Sequence, residues 1–185
     1  MASQGPNSPI TGANDTAVGT AAWVAPTNIV SSNNVGASVT IGGSGTATTN
    51  YVKATNFGFS IPSGVTIDGI IVEIERKQSP TFEGLCKDVN VKLVKGGTVS
   101  GNNNADTSTN WPTADAYKTY GSSSDLWGLS WTDSDINAAN FGVVLSATIT
   151  IDPKDGAGIY VDHIRITVHY STASPSASAL LLAGD

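Results

Sequence analysis

The chain has 185 residues, which is enough for one domain with a substantial hydrophobic core. Only 13% of the residues are charged, and the net charge of −6 at pH 7 argues against a surface that binds nucleic acid. No apolar run is long enough to span a membrane, and the single cysteine, Cys86, excludes an intrachain disulfide. We therefore expect neither nucleic acid nor a membrane as a partner.

The first segment, residues 1–22, is rich in glycine, proline and polar residues and has no hydrophobic period. Such a segment is typical of an extended arm rather than of a packed core. We predict an N-terminal arm over residues 1–22, followed by one β-sandwich domain over residues 23–170.

Strict alternation of apolar and polar residues marks the strands of this domain, because side chains of a strand point to opposite faces in turn. The alternating segments are residues 67–77, 88–95 and 160–170, and less regular strand patterns cover residues 37–41, 50–57, 97–100 and 140–151. The apolar positions predicted to face the core are Ile70, Val72, Ile74, Val89, Val91, Leu93, Ile164, Ile166, Val168 and Tyr170.

The polar positions of the same strands carry charges. Glu73 and Glu75 lie on the outer face of one predicted strand, and His163 and Arg165 lie on the outer face of another. If the two strands pair, these residues are cross-strand partners that stabilise the sheet by a few tenths of a kcal/mol each.

One short helix is predicted near residue 132. Thr132 is a suitable N-cap, Asp135 follows three residues later in a capping-box pattern, and Ile136 and Ala139 are available to pack inward. Strands without a βαβ rhythm predict an all-β fold, an antiparallel β-sandwich of the jelly-roll type with this one helix.

Two tryptophans stand four residues apart in the segment "YGSSSDLWGLSW", residues 120–131. Trp127 and Trp131 could form a stacking platform for a ligand, or they could pack at one end of the core. Neighbouring leucines favour core packing, and a subunit interface is a third interpretation, since tryptophan is enriched there.

No set of residues has the spacing of a known catalytic or metal site. His163 and His169 share a strand face but lie about 20 Å apart. Glu73 and Glu75 have a spacing that a glycosidase could use, yet an outward pair is more simply a solvated face. The acidic turn at residues 152–158 lacks the ligand pattern of a calcium loop. We predict no enzymatic activity, no metal and no cofactor.

A C-terminal tail is predicted over residues 171–185, "STASPSASALLLAGD". Leu180, Leu181 and Leu182 would form an exposed apolar patch on such a tail, and patches of this kind usually mark contacts. These leucines are therefore candidate interface residues.

The segments "GFSIPSGVTIDGIIVEIERK", "DLWGLSW" with its "DIN…NFG" continuation, and "VDHIRITVHY" carry a resemblance to known proteins. Over about residues 23–170 the chain resembles small β-sandwich proteins encoded among the structural genes of tailed bacteriophages. The resemblance implies a virion context and brings no catalytic residues with it.

Within that context, the resemblance implies a non-enzymatic structural protein, and we expect a capsid decoration or cement protein. Such a protein would lie on the virion surface after synthesis in the host cytoplasm. It would bind the major capsid protein or another virion protein, and it would form a homo-oligomer, with a trimer preferred. The alternative is a tail or fibre module, or an adhesin-type β-sandwich that binds carbohydrate.

Overall fold

The computed structural model describes residues 1–42, 45–79, 85–151 and 157–172. Within these ranges the chain forms eleven strands, a short 3₁₀ helix and an α-helix. The strands are β1 (Ala2–Asn7), β2 (Thr11–Asp15), β3 (Ala37–Ile41), β4 (Gly45–Thr48), β5 (Tyr51–Thr55), β6 (Thr66–Gln78), β7 (Leu85–Lys95), β8 (Thr98–Ser100), β9 (Ala116–Gly121), β10 (Gly142–Ile151) and β11 (Ala157–Ser171). The 3₁₀ helix is Pro26–Ile29, and α1 is Asp133–Asn137.

The strands form two antiparallel sheets. The first sheet has the order β1-β11-β6-β9, and β3 also pairs with β11. The second has the order β2-β5-β10-β7-β8, and β4 also pairs with β10. Most consecutive strands lie in different sheets, as in a jelly roll, so that the two sheets enclose one core. The predicted antiparallel β-sandwich is confirmed.

The alternating segments supply the centre of that core. Ile74 pairs with Ile164, and the next pairs on the same face of the sheet, Val72 with Ile166 and Ile70 with Val168, are also apolar. The predicted core residues that are fully buried are Ile70, Val72, Ile74, Val91, Leu93, Ile164, Ile166 and Val168. Glu73 and Glu75 lie on the opposite face and are half-buried, as the alternation predicts.

Val89 does not face the core, because a β-bulge interrupts the alternation of β7. Asn90 pairs with Ser146 and Asp88 with Ala147, so that Val89 is the extra residue. The bulge turns Asp88 inward in place of Val89, and Asp88 is 2% exposed. The apolar alternation alone gives no sign of this extra residue.

The expected N-terminal arm is part of the sandwich. β1 pairs with β11 in the first sheet, and β2 pairs with β5 in the second. These edge strands are held by backbone hydrogen bonds and bury little side-chain surface, so their sequence needs no hydrophobic period. At the other end β11 continues to Ser171, and Leu180, Leu181 and Leu182 lie outside the described residues.

The predicted helix is present with its capping box. The Asp135 backbone N–H donates to Thr132 Oγ1 at 3.1 Å, and the Thr132 backbone N–H donates to Asp135 Oδ2 at 2.9 Å. Ile136 packs into the core at 1% exposure, but the helix ends at Asn137 and Ala139 is exposed beyond it. No helix in the described ranges is long and apolar enough to cross a membrane.

Candidate functional site

The two tryptophans of the 120–131 segment are core residues. Trp127 is 0% exposed, and its indole N–H donates to the Ile70 carbonyl at 2.9 Å. Trp131 is 9% exposed and packs edge-on against Phe141, with ring centroids 5.4 Å apart. Rings enclosed in this way have no free face, so neither tryptophan can stack on a ligand.

A buried ion pair joins the two sheets. Arg76 Nη1 lies 3.0 Å from Asp88 Oδ1, and both side chains are nearly inaccessible. Asp88 also accepts hydrogen bonds of 2.7 Å from the Trp111 indole and from the Tyr120 hydroxyl. Burial and the negative charge of Asp88 raise the pKa of Tyr120 well above its usual range. These contacts connect the two sheets through buried side chains, so the role of the cluster is structural.

Cys86 is equally enclosed. It is 0% exposed and unpaired, and burial raises the pKa of its thiol well above the usual value. A thiol held in its neutral form is a poor nucleophile. Cys86 is therefore a packing residue of the core.

On the outer face of the first sheet, the predicted cross-strand contact between Glu73 and Arg165 is present. Arg165 donates from Nε and Nη2 to the two Glu73 oxygens, each at 2.9 Å. The guanidinium also lies 4.1 Å from the centre of the Tyr117 ring. Because Glu73 is fully engaged by Arg165, the Glu73 and Glu75 pair is not arranged as a glycosidase acid and base.

His163 lies beside this pair and is held on both sides. Its Nδ1 is 2.7 Å from the Tyr117 hydroxyl, and its Nε2 is 2.9 Å from Ser8 Oγ. Burial lowers its pKa from the usual 6.5, Glu75 opposes the shift and Arg165 adds to it. Asp162 and Glu73 also oppose it.

The lowered pKa of His163 predicts a pH-dependent stability. As the pH falls through 6.5, the unfolded chain takes up the proton first, so the free energy of unfolding falls until the folded-state pKa is also passed. We expect the free energy of unfolding of His163→Gln, measured by chemical denaturation, to fall less between about pH 7 and 5 than that of the unchanged chain. His169→Gln is the matched control, and equal pH profiles for all three chains would contradict this prediction.

Two clefts on the described surface have similar sizes. The first, of about 300 Å³, is lined by Asn34, Gly36, Lys77, Ser79, Asp115, Tyr160 and Asp162. The second, of about 290 Å³, is lined by Leu85, Lys87, Asp88, Val89, Thr107, Thr148 and Thr150. The first combines an aromatic ring with charged and amide side chains, whereas the described residues that line the second include no aromatic side chain. We refer to the first as the Tyr160 cleft.

The Tyr160 cleft forms where β6 ends and β11 begins. Lys77 and Tyr160 are direct partners in this pairing, so both side chains point outward from the first sheet. Lys77 Nζ lies 5.8 Å from the centre of the Tyr160 ring and 2.6 Å from Asp115 Oδ2. The cleft thus has an aromatic surface beside a partly exposed ion pair.

Asp162 enters the cleft through a second β-bulge. Val161 pairs with Arg76 and His163 with Glu75, which leaves Asp162 as the extra residue of β11. Its Oδ2 accepts the backbone N–H groups of Asn33 and Asn34 at 2.9 and 3.0 Å. These bonds fix the 31–36 loop against β11.

Two carboxylate oxygens around the cleft have no hydrogen-bond partner. They are Asp162 Oδ1 and Asp115 Oδ1, and both atoms are buried. Asp162 is 3% exposed as a residue. Buried polar groups in proteins are nearly always hydrogen-bonded, so these two oxygens are acceptors that a donor from water or from a ligand would satisfy.

Sequence reasoning singled out none of the residues of the Tyr160 cleft. Regular alternation of a strand would turn Asp162 to the face opposite His163. The bulge that places Asp162 has no sequence signature. A weak signal lies in "SSNNVG", residues 31–36, where asparagines and glycine favour a tight loop with left-handed backbone. Asn34 does adopt a φ of 62°.

The chemistry available in the Tyr160 cleft is recognition. Its described lining has hydrogen-bond donors and acceptors and one aromatic ring, but no histidine or cysteine. In the part of the chain that the structure describes, no three His, Cys, Asp or Glu side chains are grouped so as to hold a metal ion.

No family model and no curated protein matches the chain. Similar solved structures include a CBM4 structure, 13% identical, covering 74% of this chain and 85% of that one, with a TM-score of 0.35. A carbohydrate-binding module of the β-sandwich superfamily is 12% identical, covering 87% of this chain and 56% of that one, with a TM-score of 0.35. CBM35 from Paenibacillus barcinonensis is 13% identical, covering 88% and 99%, with a TM-score of 0.27. Likeness at this level says nothing about what the present chain binds.

Proposed function

We propose that this protein is a non-catalytic β-sandwich module that binds carbohydrate in the Tyr160 cleft. The observation that carries the proposal is the half-buried Tyr160 ring beside Lys77, Asp115 and Asn34. The apolar face of a sugar ring packs on an aromatic side chain, and its hydroxyls need donors and acceptors around that contact. Both requirements are met within one cleft.

The hydrogen bonds that the two cleft carboxylates accept are consistent with binding of a sugar without catalysis. Asp115 Oδ2 accepts from Lys77, and Asp162 Oδ2 accepts from two backbone N–H groups. A glycosidase needs one carboxylic acid that gives its proton to the leaving oxygen and a second group that attacks or activates water. Both aspartates are arranged as fixed acceptors, which suits recognition.

Of the predicted virion roles, this proposal favours the tail, fibre or adhesin-type module. β1 and β2 are built into the sheets, so residues 2–15 are not available as an arm that reaches a neighbouring subunit. Capsid decoration, the trimer, the major capsid protein as partner and the virion-surface location stay predictions from the resemblance.

Tyr160→Ala tests the proposed function. A glycan array with the purified chain would first identify a bound sugar, and isothermal titration would then compare the variants. We expect Tyr160→Ala to weaken binding about tenfold through loss of the ring contact, and Tyr160→Phe to retain most of it.

Tyr117→Ala is the matched control, since Tyr117 lies on the same sheet face outside the cleft lining. It should bind the sugar as the unchanged chain does. Equal binding by Tyr160→Ala and the unchanged chain would contradict the proposed site.

A further inference from the structure

The described lining of the Tyr160 cleft has more negative than positive side chains. Among its described lining residues, Asp115 and Asp162 are formally negative and Lys77 is formally positive. Lys77 is already paired with Asp115 at 2.6 Å, so the charges of these two residues offset each other. The remaining negative charge belongs to Asp162, which has no cationic partner in the described residues. An anionic ligand would meet this charge without a free cation to balance it.

The hydrogen bonds of Asp162 indicate which donor group on a ligand would suit it. Its Oδ2 is satisfied by two N–H donors, while its Oδ1 is buried without a partner. Asp115 Oδ1 is also buried without a hydrogen-bond partner. A hydroxyl could serve one such oxygen, but an ammonium group offers three N–H donors and a positive charge together.

The Tyr160 ring favours the same ligand. Aromatic faces attract cations within about 6 Å, and the ring lies in the cleft that Asp162 also lines. A sugar that carries an ammonium group would combine ring stacking with a charge-assisted hydrogen bond to Asp162 Oδ1.

We infer that the Tyr160 cleft recognises an amino sugar with a free ammonium group, in preference to its N-acetylated or acidic counterparts. The inference rests on the proposed function and specifies its ligand class. Asp162 supplies the charge recognition, Tyr160 supplies the stacking surface, and Lys77 disfavours a second ammonium group on the side of Asp115.

A matched ligand pair tests this on the unchanged chain. The disaccharides of glucosamine and of N-acetylglucosamine have the same ring and linkage and differ in the charge on nitrogen. Isothermal titration at about 0.15 M salt should give about tenfold tighter binding of the glucosamine disaccharide. The disaccharide of galacturonic acid should bind weakest of the three.

Asp162→Asn tests whether Asp162 causes the preference for the glucosamine disaccharide. The asparagine Oδ1 can still accept the two loop N–H groups, while its NH₂ places a donor where the unpartnered carboxylate oxygen was. We expect this variant to lose the preference for the glucosamine disaccharide, so that its two dissociation constants become nearly equal.

Asp68→Asn is the matched control, because Asp68 also has a buried, unpartnered oxygen and lies on β6 nine residues before Lys77. It removes the same formal charge from the acidic chain, so it corrects for general attraction of a cation. The ligand comparison on the unchanged chain tests the inference even where Asp162→Asn does not fold.

The outcomes separate the two proposals. Tighter binding of the N-acetylated or acidic disaccharide would overturn the amino-sugar inference and leave the proposed function standing. An equal loss of preference in Asp162→Asn and Asp68→Asn would show general charge attraction and would also overturn it. Binding of no sugar on a broad glycan array would remove both.

Discussion

Asp88→Ala is expected to lower the free energy of unfolding by about 3–5 kcal/mol, because it leaves Arg76 charged and buried without its partner. The substitution also removes the acceptor of the Trp111 indole and of the Tyr120 hydroxyl. Urea denaturation of the unchanged and variant chains at pH 7 measures the difference. The loss should appear as a lower midpoint.

Asp15→Ala is the control for this change. Asp15 pairs with Lys53 at 3.2 Å near the surface, where both side chains are partly exposed. Such pairs contribute about 0–1 kcal/mol. Joint replacement of Arg76 by Met and Asp88 by Leu should recover much of the stability lost in Asp88→Ala, since no unpaired charge remains. An Asp88→Ala loss no larger than that of Asp15→Ala would contradict the structural role of the ion pair.

Trp127→Ala is expected to destabilise the protein by about 3–5 kcal/mol through the cavity that it leaves. The indole is 0% exposed and donates to the Ile70 carbonyl. Gly121 makes room for it, because a Cβ at Gly121 would lie 2.7 Å from the indole nitrogen.

Thermal or urea unfolding of Trp127→Ala and Trp127→Phe measures this effect. The phenylalanine fills part of the volume and loses the hydrogen bond, so its loss of stability should be smaller. Unchanged stability of Trp127→Ala together with lost sugar binding would contradict the core assignment and would return the binding site to the tryptophans.

The core was predictable because its signal is local. Residues such as Ile70, Val72 and Ile74 follow one another at every second position, and their burial follows from strand geometry. The capping box at Thr132 is also contained in four consecutive residues. Features of this kind depend on short stretches of chain, which are read directly from the sequence.

The edge strands and the cleft were not predictable, because they depend on partners far along the chain. β1 is held by backbone bonds to β11, and its polar side chains carry no period. The Tyr160 cleft joins the 31–36 loop, the end of β6 and the start of β11. The bulge at Asp162 sets the site's charge, and a single extra residue does not alter the composition around it.

The central claim is that sugar binds in the Tyr160 cleft, and an amide NMR titration tests it most directly. The nitrogen-labelled chain would be titrated with the glucosamine disaccharide, and the assigned amides followed. We predict saturable shifts at Asn34, Gly36, Lys77, Tyr160 and Asp162, with the second cleft unaffected. Shifts centred instead on Thr107, Thr148 and Thr150, or no shifts with any sugar of the glycan array, would contradict the account.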